Sequence, residues 1–140
     1  MTKSTNLRQA ARRLAIKALY ASELGGDSIE VAREDAMSHF SEEKYDQNYF
    51  TEILSGLTEN MNDIDGQITL YISRTIKEVN PIELSILRVA FFELCHCPGT
   101  PYKVIINEAI EMAKSYGADK SHKFINGVLD KASKTIRPPK

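Results

Sequence analysis

No stretch of this sequence is apolar for the ~18–20 residues that a membrane-crossing helix needs, so a helical span is excluded. The N-terminus is basic, but neither a continuous apolar run nor a small-residue cleavage site follows, which argues against a secretory leader. Cysteine is scarce. Cys95 and Cys97 are too few for a disulfide framework, and two residues apart on a helix they point to different sides. A reducing cytosol is the expected setting. A phosphate-cradling glycine loop, a metalloprotease helix motif and a nucleophile elbow are all missing. Excess charge is missing too: 18 Lys+Arg against 19 Asp+Glu leave a net charge of -1, which excludes a uniformly basic, histone-like chain.

What is present is an ordinary globular composition. The 140 residues are 42% hydrophobic and 26% charged, enough for one domain with a real core. Charge is segregated, however. Residues 1–20 carry five bases and no acid, residues 21–70 two bases against twelve acids, and residues 71–140 eleven bases against seven acids. Two basic ends flanking an acidic middle suit a polyanionic partner, although charge alone favours solvated faces that simply differ.

Apolar spacing is helical throughout, with no good alternating strand. Seven helices are expected: about Leu7 to Leu24, Ile29 to Phe40, Tyr45 to Asn60, Ile64 to Val79, Ile82 to Cys97, Pro101 to Tyr116, and from a cap at Asp119 or Ser121 to about Lys134. Asn80-Pro81 is the strongest start signal, with Glu83 placed to complete a capping box. The helix after it is apolar nearly all round and belongs at the centre. Thr100 is expected to cap the next helix, whose inward stripe includes Tyr116. The Pro-rich tail from Thr135 to Lys140 is expected to fray. The expected architecture is an all-α bundle in one domain, 1–140, softly divided into 1–62 and 63–140.

Candidate chemistry is uneven. Cys95-His96-Cys97 has metal-ligand residue types, but adjacent helical residues diverge by about 100° each and converge poorly on one ion; two buried thiols and a half-exposed His96 are expected instead. Glu108 and Glu111 form a possible acid pair, with a solvated face as the favoured reading. Two basic, aromatic-bearing faces are more promising. Opposite its Leu/Ala stripe the first helix carries Gln9, Arg12, Arg13 and Tyr20, flanked by Arg8 and Lys17: cations for phosphates and a ring for an unpaired base. On the last helix Lys123, Phe124, Gly127 and Lys131 share an arc; Phe124 is either a base platform or a ring packed on another helix. Tyr71, with Arg74 nearby, reads as a core-edge tyrosine or a third aromatic contact.

Three stretches then carry a resemblance: Arg12–Tyr20, Glu83–Leu94, and above all Pro101–Gly117 with Ser121–Lys131. They resemble the NusB family of bacterial transcription antitermination factors over nearly the whole chain. The resemblance implies an all-helical, non-enzymatic protein without cofactor or metal. It implies binding of boxA-type single-stranded RNA together with NusE, a small-subunit ribosomal protein, within an RNA polymerase antitermination complex that acts at ribosomal RNA operons. By position it implies RNA contacts at Arg8, Arg12, Arg13, Tyr20, Tyr71, Arg74, Lys123 and Phe124, beside Lys17 and Lys131. Glu83 matches a position on the NusE surface. Lys120 stands where relatives often have an acid, which adds a cation to the RNA face; the broken arginine run at Gln9-Ala10-Ala11 removes some. The rival reading is a protein-binding helical adaptor without RNA. A homodimer could hide the basic faces. Similar domains are fused to RNA methyltransferases; no appended catalytic unit is expected here.

Overall fold

The computed structural model describes residues 2–39 and 44–138. Among them are six α-helices: α1 (Thr2–Gly25), α2 (Ile29–His39), α3 (Gln47–Thr69), α4 (Pro81–His96), α5 (Tyr102–Tyr116) and α6 (Ser121–Ile136). A short 3-10 turn spans Ile76–Glu78. Phe40, the expected end of the second helix, lies outside the described residues, as do Pro139 and Lys140.

Helix α4 is the hub. Asn80 accepts a hydrogen bond from the Ile82 amide at 3.0 Å, and Pro81 sits at the first helical position, as the start signal requires. From Leu84 to Leu94 only Arg88 escapes full burial. Arg88 bonds Asp65 on α3 at 2.9 and 2.8 Å and Glu23 on α1 at 2.9 Å, so it ties three helices at one rim. Gly56 lets α3 approach α4 closely: a Cβ there would lie 2.1 Å from the Phe92 ring. Buried apolar residues from all six helices form one cluster.

Several expectations about local structure are corrected. The third and fourth expected helices are one helix, α3, bent at Asn60 (φ -121, ψ 18), whose side-chain amide donates to the Gly56 carbonyl at 2.8 Å. No proline or glycine pair interrupts residues 60–64, so the chain bends there without breaking. That helix ends at Thr69, ten residues short of Val79. The amides of Leu70 and Tyr71 turn back to Gln67 and Ile68, and Glu78 accepts from the Thr75 amide at 2.8 Å, which gives the loop its own closure. The apolar side chains of 71–79 keep a helical spacing because a loop lying on the core also needs inward residues at intervals.

Thr100 and Glu83 do not cap. Thr100 is buried beside Tyr49, and Glu83 accepts a 2.6 Å bond from the Ser121 hydroxyl instead. The chain enters α6 through Lys120, in a left-handed conformation (φ 73). Finally, the described part of the tail does not fray: α6 runs to Ile136, and Arg137 is tied down. Its guanidinium donates to the carbonyls of Leu94 (3.1 Å), Thr100 (2.7 Å), Glu93 (3.0 Å) and Cys97 (2.8 Å). The Leu94 carbonyl is one that α4 leaves without a helical donor, since the residue four on is Pro98, whereas those of Glu93 and Cys97 also accept from the Cys97 and Thr100 amides.

Candidate nucleic-acid interface

The loop after α3 and the outer side of α6 enclose a groove of about 440 Å³. Tyr71, Ile72 and Arg74 line it from the loop, and Lys123, Phe124, Gly127 and Lys131 from α6. The Arg74 guanidinium lies over the Phe124 ring, 4.2 Å from its centroid. Arg74 is exposed and Phe124 half-buried. Tyr71 is half-buried against Phe91, ring centroids 6.0 Å apart. Nothing lies within 4 Å of where a Cβ would stand on Gly127, which leaves the floor open. Three cations and two rings therefore face one concavity, a combination suited to phosphates and unpaired bases. Phe124 packs against the core cluster, as one of its two expected surroundings requires, and also meets the Arg74 cation.

The α1 residues divide. Arg8 is exposed, its guanidinium 4.9 Å from the Tyr49 ring centroid. Arg13 is half-exposed, 3.5 Å from Glu108. Lys17 is half-exposed and lies 5.4 Å from the Tyr116 ring centroid. Tyr20 is half-buried and Lys120 exposed.

Arg12 overturns its expected solvent position. It is 4% exposed and forms a two-pronged pair with Glu93 at 2.6 and 2.7 Å. The Tyr49 hydroxyl donates to the same carboxylate. Burial opposes the Arg12 charge, but Glu93 outweighs it and holds the guanidinium protonated well above its ordinary range. Burial first, then Glu93, pushes the Tyr49 phenol up in turn. Glu108 is likewise not a solvated acid: Gln9 donates to it, and Arg12 and Arg13 stand 4.0 and 3.5 Å away. The arc called basic on α1 is thus half interior, because α2, α3 and α4 all pack on this helix.

Glu83, expected on a protein-docking surface, is 9% exposed and committed to Ser121. Tyr116, expected inward, is exposed. At the end of α4, burial pushes the Cys97 thiol up to about 11 and raises Cys95 as well, which keeps both as thiols. His96 instead stacks on Phe92 at 5.3 Å.

The NusB family model matches residues 9–134. This chain belongs to the NusB family. The transcription antitermination protein NusB of Colwellia psychrerythraea is 44% identical over 131 residues, covering 94% of this chain and 95% of that protein. Its counterpart in Buchnera aphidicola is 45% identical over 141 residues, covering 98% and 95%. Among solved structures, T. maritima NusB superposes with a TM-score of 0.81 at 31% identity, covering 91% of this chain and 90% of that one. A crystal structure of antitermination factors NusB and NusE in complex with dsRNA superposes with a TM-score of 0.84 at 22% identity, covering 96% and 99%, and shows the NusB fold is shared.

Proposed function

We propose that this chain is a cytoplasmic, non-enzymatic transcription antitermination factor. It binds boxA-type single-stranded RNA together with NusE and promotes antitermination at ribosomal RNA operons through the RNA polymerase antitermination complex. Family membership supports the biological role. The observation that carries RNA binding is the groove in which Arg74, Lys123 and Lys131 surround Phe124 and Tyr71. Single-stranded RNA suits it because half-exposed rings need unstacked bases, which a duplex withholds.

The RNA surface comprises Arg8, Arg13, Lys17 and Tyr20 on α1, with Tyr71, Arg74, Lys120, Lys123, Phe124 and Lys131 at the groove. Arg12 serves it indirectly, by fixing α1 to α4 through Glu93. Glu83 serves the NusE side through its hold on the start of α6. The chain works as one unit, 1–140, whose two halves meet where α3 bends. RNA and NusE binding support one another, each tightening the other by the same factor.

Salt titration tests this reading. With three to six phosphates gripped, log K falls against log salt with a slope of about -2 to -4. A flat response would leave the protein-binding adaptor in its place, and equal binding of duplex and single strand would remove the stacking.

A further inference from the structure

The exposed ring at the end of α5 has no part in the groove, yet it repeats the groove's chemistry. Tyr116 is 46% exposed although its helical spacing puts it on the apolar stripe of α5. A cation faces its ring: Lys17 Nζ, reaching across from α1, lies 5.4 Å from the centroid. Arg74 over Phe124 is the same arrangement, a cation from one element on an aromatic ring from another.

The chain between the two rings is short and firmly held. A Cβ on Gly117 would come within 2.7 Å of the Ser121 side chain and of the Ala113 carbonyl, so the turn closes tightly there. Ser121 is anchored to Glu83 at 2.6 Å. Between them Lys120 is exposed in its left-handed conformation, and Lys123 and Phe124 follow within the first turn of α6. A cation–ring pair thus stands at each end of the α5–α6 turn, with an exposed lysine between them.

We infer that Tyr116, with Lys17, is a second base-stacking platform, which an RNA strand crossing the α5–α6 turn engages in addition to Phe124 and Arg74. This rests on the RNA-binding reading above. The ring supplies the stacking face, and Lys17 supplies the charge for the adjoining phosphate.

The test compares Tyr116→Phe, Tyr116→Leu and Tyr116→Ala by anisotropy of a labelled boxA-like single-stranded RNA, with the melting temperature of each variant recorded. Phe keeps the stacking face, and binding should stay within about 2-fold of the parent. Leu keeps apolar cover for the Lys17 stem but has no ring face; it should weaken RNA binding by about 5- to 100-fold, as Ala should, the range expected for one stacked base. Arg74→Ala and Phe124→Ala serve as controls at the groove. If Leu binds like the parent while the two groove variants are weakened, Tyr116 merely covers Lys17 and the second platform is wrong. If Phe is weakened as much as Leu, the hydroxyl and not the ring makes the contact, which also overturns it. If none of the variants weakens binding, the RNA reading itself fails.

Discussion

Replacing Arg12 by Met separates folding from RNA binding. The Arg12–Glu93 pair is buried on both sides, and the Tyr49 hydroxyl shares the carboxylate. Methionine fills the stem volume but leaves Glu93 as a buried anion without its main partner. Breaking a buried pair in this way costs about 3–5 kcal/mol. For a chain of this length about 1 kcal/mol shifts the melting temperature by roughly 3 °C, so Arg12→Met should melt about 10–15 °C lower. Removing the orphan charge as well, in Arg12→Met/Glu93→Gln, should restore about half of that. Thermal unfolding followed by circular dichroism reads both. Because Arg12 presents so little surface, RNA binding by the folded variant at 10 °C should stay within about 3-fold of the parent, well below the loss expected for a direct phosphate contact that is also a hot spot. An unchanged melting temperature with RNA binding weakened more than tenfold would refute this, and would mean that Arg12 leaves Glu93 to reach the RNA.

Arg74 tests whether a plane or a charge matters in the groove. Arg74→Lys keeps the charge and loses the flat guanidinium; it should weaken RNA binding about as much as Arg74→Ala while leaving the salt slope intact, which salt-titrated anisotropy reads directly. Arg137→Ala should lower the melting temperature by about 5–10 °C, because hydrogen bonds to a charged group contribute about 1.5–3 kcal/mol, and Arg137→Lys should recover only part because an ammonium cannot reach four carbonyls in a fork. Cys97 makes stability fall in alkali: its folded value, near 11, lies above the ordinary thiol value of 9.0, so its contribution is complete below pH 9 and is lost as pH rises toward 11. Cys97→Ala should flatten that limb of a denaturation–pH profile.

The helical class was legible because a 3.6-residue apolar period survives without any knowledge of partners. The start of α4 was legible because Asn80 and Pro81 act within one turn. The groove was legible in its residues but not in its construction, since Tyr71 and Arg74 reach it from a loop that the apolar spacing disguises as helix. What the sequence hides is long-range pairing. Arg12 and Glu93 stand 81 residues apart, and no local pattern announces that one basic residue of α1 will turn inward. A helical wheel gives directions around one axis but not the number of neighbours; α2, α3 and α4 pack on α1 and α5 reaches it through Glu108 and Tyr116, so its buried arc is wider than its Leu/Ala stripe. The same limit explains Arg137, whose four carbonyl partners lie 37 to 44 residues back along the chain. Tyr116 shows the converse, since a residue on an apolar stripe can overshoot the core when its helix ends.

The most direct measurement is the anisotropy of a labelled boxA-like RNA with the parent protein, with and without NusE, against a scrambled RNA of equal length. Preferential binding of the boxA-like strand that tightens several-fold with NusE is the predicted result. Equal, weak binding of both strands, unchanged by NusE, would contradict the account.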